Sequence, residues 1–134
     1  MQRNLWIVMA VALMFYSNSA AVAQQAKQTI KASCQTEATK WNGERDACNS
    51  GWQELNAPEG HVINDRNIVR HESFNGSRNR CEEEFLEPTE LVPHSGLTYP
   101  RKFLLRAHAY SHAGAAGGAG HSDCTRIVTF VKYK

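Results

Sequence analysis

The dominant pattern along this chain is an alternation of apolar and polar residues with a period of two, and no stretch keeps a sustained helical period. At 28–36, Ile30, Ala32 and Cys34 alternate with Thr29, Lys31, Ser33 and Gln35, which predicts a half-buried strand. Segments 62–74 and 77–86 flank Asn75-Gly76, the dipeptide best suited to a two-residue type I′ turn, so they are expected to pair as a hairpin. Their charges, among them Arg70, His71, Glu72, Arg80 and Glu82 to Glu84, require a solvated face or an edge position.

Farther on, Phe103, Leu105, Ala107 and Ala109 fall on one face of a strand, with Leu104, Arg106, His108, Tyr110 and His112 on the other. A Gly/Ala stretch at 113–120 reads as a flexible hairpin tip leading to a last strand at 121–133. Pairing His112 with His121 sets Ala109 against Cys124, Leu105 against Val128 and Phe103 against Phe130, the apolar matching that normally fixes register. Arg126 resists, because it lands on the inner face opposite Ala107. A side chain snorkelling at the sheet margin, or a bulge, would accommodate it. Residues 37–60, with Asn42-Gly43, Asn49-Ser50-Gly51 and a turn around Pro58, read as loop or short hairpin, and Pro88, Pro93 and Pro100 mark a connector. The expected fold class is mostly β: a small antiparallel β-sandwich, or partly open barrel, with long irregular loops and two disulfides.

The N-terminus follows a different pattern. Arg3, an apolar run from Leu5 to Tyr16 and Ala21-Val22-Ala23 are the three parts of a cleavable secretory signal. The run is shorter than the roughly 20 residues that span a bilayer as a helix. The expectation is a signal peptide at 1–23 and a single β domain at 24–134, periplasmic or secreted in a bacterium, with no integral membrane segment after cleavage. The chain carries 15 Lys and Arg against 13 Asp and Glu; losing Arg3 leaves 14 − 13 = +1, a balance that points away from nucleic acid and anionic membranes.

Export changes the reading of Cys34, Cys48, Cys81 and Cys124. An even count in a small exported domain, with no C-x-x-C or C-x-x-C-H, implies two disulfides rather than redox or haem chemistry. Sequence admits three connectivities, of which Cys34 with Cys48 and Cys81 with Cys124 is the expected one.

Candidate chemistry is sparse. His112 opposite His121, with Asp123 as a third ligand, would suit zinc or copper; otherwise the two histidines merely frame a loop. Trp41 and Trp52 bracket Cys48 beside Asn42, Asn49 and Gln53. They, with Tyr110, either form a ligand-binding surface or, in the case of the indoles, cover the disulfide and fill a small core. Glu82 and Glu84 share a strand face at about 7 Å, but a solvated edge with Arg78 and Arg80 accounts for them more simply than acid–base catalysis. The glycine stretch lacks the ending of a phosphate loop, and no serine sits in a nucleophile elbow. What remains is a non-enzymatic binding or interaction module for a protein or glycan ligand, with a periplasmic zinc- or copper-binding protein built on His112/His121 as the alternative.

Overall fold

Alternation along 102–110 and 121–132 produces the two longest strands and both halves of the core. A computed structural model describes residues 26–133 except Ser77, Pro93, Ala115 and Ala116, so the expected signal at 1–23 lies outside the described residues. The elements, all strands, are β1 (Lys27–Gln35), β2 (Ala47–Asn49), β3 (Gln53–Asn56), β4 (His61–Ile63), β5 (Val69–Asn75), β6 (Arg80–Leu86), β7 (Thr89–Glu90), β8 (Thr98–Tyr99), β9 (Lys102–Tyr110) and β10 (His121–Lys132).

Two antiparallel sheets pack face to face. In one, β10 is central, with β1 along one edge and β5 followed by β4 along the other. In the second, β9 is central, with β2 and β3 on one edge and β6 on the other, while β7 and β8 form a separate small hairpin. Phe103, Leu105, Ala107 and Ala109 are fully buried and meet Ile30, Ala32, Cys124, Val128 and Phe130 from the opposite sheet. Phe85 leans on Phe103 with ring centroids 5.1 Å apart.

The expected β-sandwich is therefore present, but its strand pairing differs from the expected one. The strands at 103–110 and 121–132 do not form a hairpin. They are the centres of opposite sheets and face each other across the core, so His112 is not opposed to His121, nor Tyr110 to Asp123. The Asn75-Gly76 hairpin is corrected likewise: β5 pairs with β10 and β6 with β9, so the 76–79 turn steps from one sheet to the other. Segment 37–60 is less irregular than expected, since β2 and β3 both add to β9. The Pro-containing connector holds the β7–β8 hairpin.

Asn79 makes the sheet-to-sheet step possible. Its Nδ2 donates to the Asn75 carbonyl at 2.7 Å and the His121 carbonyl at 2.8 Å, and its Oδ1 accepts the Tyr110 N–H at 2.8 Å. One amide thus ties the ends of β5, β10 and β9 together. Asn79→Ala is expected to lower unfolding stability by about 1–3 kcal/mol, measured by chemical denaturation, because three backbone groups lose their partner.

Both disulfides cross the sandwich. Cys34 of β1 joins Cys48 of β2, and Cys81 of β6 joins Cys124 of β10, as expected from sequence. Each links one sheet to the other, and two such cross-links are the mark of a chain that matures in an oxidising compartment. Among the described residues no helix is long and apolar enough to cross a membrane.

Arg126 is neither at a margin nor on a bulge. It is 2 % exposed on the inner face of β10, where β5 and β6 bound one side of the sandwich. Its Nε donates to Glu83 of β6, its Nη2 to Glu72 of β5 and its Nη1 to the Thr125 carbonyl at 3.1 Å, while Arg70 of β5 holds Glu83 at 2.8 and 3.0 Å. Two cations and two carboxylates thus close this side with no net charge. An apolar seam there would leave two sheet edges prone to association.

Candidate functional site

Three connections meet at one end of the sandwich: 36–46 between β1 and β2, 76–79 between β5 and β6, and 111–120 between β9 and β10. They are fastened to one another. Thr36 N–H donates to Gly120 O at 2.9 Å, Thr39 N–H to Gly117 O at 2.8 Å, Ser111 N–H to Asp46 O at 2.9 Å and His112 N–H to Gly118 O at 2.9 Å. The Thr39 hydroxyl also donates to the His112 carbonyl.

Gly117 and Gly120 of the glycine stretch lie close against neighbouring backbone. A Cβ on Gly120 would collide with the Tyr110 carbonyl, and one on Gly117 with the His112 carbonyl, so these glycines allow close backbone approach.

Between these loops lies a hollow of about 60 Å³ lined by Arg45, Gly76, Arg78, Tyr110, Ser111, His112 and Ala113. Asn75 Oδ1 can only accept, so the His112 Nε2 that meets it at 3.0 Å carries the proton. Ser111 is buried and serves the loop, accepting the Asp46 N–H at 2.8 Å. Trp41 stands on the turn that leads into Arg45, closed by Gly43 N–H to Lys40 O at 2.8 Å, and is 94 % exposed. It neither covers the Cys34–Cys48 disulfide nor fills a core.

The other expected site residues are dispersed. Trp52 lies on the outer face of the β9 sheet, its ring covered by the Arg106 guanidinium at 4.2 Å. His121 pairs with Asp123 at 2.5 Å, away from His112. Among the described residues no group of three or more His, Cys, Asp or Glu side chains is placed to hold a metal ion. Comparison with protein-family models, curated proteins and solved structures found no match.

Glu82 belongs to that outer face. Arg106 Nε donates to it at 2.6 Å and Arg80 Nε at 2.9 Å, and His108 Nε2 lies 3.1 Å away but out of line for a hydrogen bond. The Arg106 hydrogen bond holds its carboxyl down at about 2, against partial desolvation, with Arg80 and His108 helping. At Glu83 burial pushes the carboxyl up, but hydrogen bonds from Arg70 and Arg126 outweigh it and leave it below the usual carboxylate range. A carboxyl whose folded pKa is depressed stabilises the fold above its unfolded pKa and loses that contribution as pH falls through the folded one. The thermal midpoint should therefore drop as pH goes from about 4.5 toward 2. Glu82→Gln/Glu83→Gln should start lower and fall less over that window.

Arg45 and Arg78 were not legible as site residues. Glu44 hydrogen-bonds Asn42 and Asp46 accepts the Glu37 N–H, and among the described residues neither carboxylate forms an ion pair with Arg45.

Proposed function

We propose that this chain is an exported, non-enzymatic binding module that recognises a protein or glycan ligand with the loop end of its sandwich. The supporting observation is that tightly fastened loops present Trp41, 94 % exposed, beside a hollow lined by Arg45, Arg78, Tyr110 and His112. Trp, Tyr and Arg are the side chains that most often carry binding energy, and holding them on ordered loops lowers the entropy lost on association. A leader cleaved after Ala23, delivering residues 24–134 to a bacterial periplasm or exterior, fits the two disulfides. A non-catalytic role fits the carboxylates, since Glu82 and Glu83 are held in ion pairs.

Arrays of glycans and of surface proteins, probed with the disulfide-bonded chain, test the reading. Trp41→Ala/His112→Ala is expected to abolish the signal, whereas Trp52→Ala retains it. A signal lost with Trp52→Ala and kept by the loop-end variant would overturn it.

A further inference from the structure

Arginines elsewhere on this molecule are matched. Arg66, Arg70, Arg80, Arg106 and Arg126 each have a carboxylate partner, and among the described residues only Arg45, Arg78 and Arg101 lack one. Two of those three line the same small hollow. We propose that this hollow binds the acid group of an acidic saccharide, a uronate or a sulfated sugar, with Arg45 and Arg78 on its oxyanion and Tyr110 and His112 on its hydroxyls. The assignment rests on the loop end being the recognition surface and names its ligand class.

Two guanidiniums facing one cavity repel each other, and with no protein carboxylate to offset this, an oxyanion from outside is the complementary group. Guanidinium is the cation best shaped for it, since its forked N–H donors match carboxylate and sulfate oxygens. Volume narrows the choice. About 60 Å³ lies far below the roughly 300–1,000 Å³ of pockets that enclose drug-sized molecules, so the hollow takes one small charged group of a larger ligand.

The lining then separates a sugar from a protein side chain. Protein anchors are characteristically aromatic or aliphatic groups seated in desolvated apolar pockets. Among the described residues Ala113 supplies the one wholly hydrocarbon side chain of the lining, whereas Arg45, Arg78, Tyr110 and His112 carry polar groups. Hydroxyl-rich ligands satisfy such a lining. Trp41, free on the adjoining turn, offers a flat apolar face of the kind on which a neighbouring sugar ring stacks.

Amide-resolved NMR titration of the disulfide-bonded protein tests this with three probes: glucuronate, glucose and a short polyglutamate peptide. Saturable shifts confined to 41–46, 76–79 and 110–113 are expected with glucuronate and not with glucose. They should weaken when salt is raised about tenfold, as a solvent-accessible charge contact does. Arg45→Gln and Arg78→Gln should each weaken binding about tenfold or more, about 1.4 kcal/mol, while amides of β9 and β10 stay in place. Equal shifts with glucose at those amides would overturn the acidic assignment and leave the loop-end reading standing. Tighter binding of polyglutamate would overturn the saccharide. Glucuronate shifts centred on Trp52 would overturn the loop-end surface, and no shifts with any probe would overturn the ligand class.

Discussion

Removing the Cys81–Cys124 cross-link, as Cys81→Ala/Cys124→Ala, is expected to cost about 4 kcal/mol of unfolding free energy, and removing Cys34–Cys48 about 3 kcal/mol. The order follows from the loops closed, 43 and 14 residues, because a longer loop loses more freedom in the unfolded chain. Cys124 is also 1 % exposed in the core, so truncation there removes packing as well. Either loss is a large share of the roughly 5–15 kcal/mol that keeps a typical domain folded. The core is thin, with Ala32, Ala107 and Ala109 at three of its inward positions, so the cross-links offset what apolar burial does not supply. Denaturant unfolding of both double variants checks the order. A smaller loss for the 43-residue loop would show that unfolded-state restriction is not the main effect.

Arg126→Leu is expected to be damaging as well, at about 1–3 kcal/mol, because Glu83 is left with Arg70 alone and Glu72 loses the cation it shares with Glu83 on a partly buried seam. Arg126→Leu/Glu83→Leu should recover much of that loss, since an apolar pair of similar volume removes the desolvation penalty along with the attraction. A double-mutant cycle reads the coupling directly. Strict additivity of the two single losses would mean the ion pair contributes nothing beyond its separate parts. Recovery of stability in the double variant is also expected to bring self-association, measured by sedimentation, because charges pointing inward at a sheet edge discourage edge-to-edge pairing.

These two expectations show what alternation can and cannot encode. Period two identified which side chains of 103–110 and 121–132 point inward, and the structure buries Phe103, Leu105, Ala107, Val128 and Phe130 accordingly. It could not identify the hydrogen-bonded neighbours. Inner faces of opposed sheets share one core, so the matching of Leu105 with Val128 or Phe103 with Phe130 is satisfied across the sandwich as well as along a ladder. Arg126 was the warning: an arginine on an inner face demanded partners, and Glu72 and Glu83 lie on β5 and β6, strands the hairpin reading had paired with each other. Asn75-Gly76 misled for a related reason. The dipeptide marks a reversal, but the Asn79 side chain, three residues beyond Gly76, decides that the chain changes sheets there.

The candidate site was legible in part. Tyr110 was read as a ligand-binding residue and His112 as a metal ligand opposite His121, and the structure places both in the lining of the loop-end hollow. Trp41 and Trp52 looked equivalent in sequence, yet one is 94 % exposed and the other lies beneath Arg106, because only Trp52 adjoins a strand next to β9. Arg45 and Arg78 had no local mark. Their significance comes from what they lack, a carboxylate partner, and that is settled only when the loops are folded together.

Co-crystallisation of the disulfide-bonded protein with a short oligouronate addresses the loop end most directly. The predicted result is a sugar carboxylate about 3 Å from the guanidiniums of Arg45 and Arg78, with Tyr110 and His112 meeting its hydroxyls. A sugar bound on the outer face beside Trp52, with the loop-end hollow holding only solvent, would contradict it.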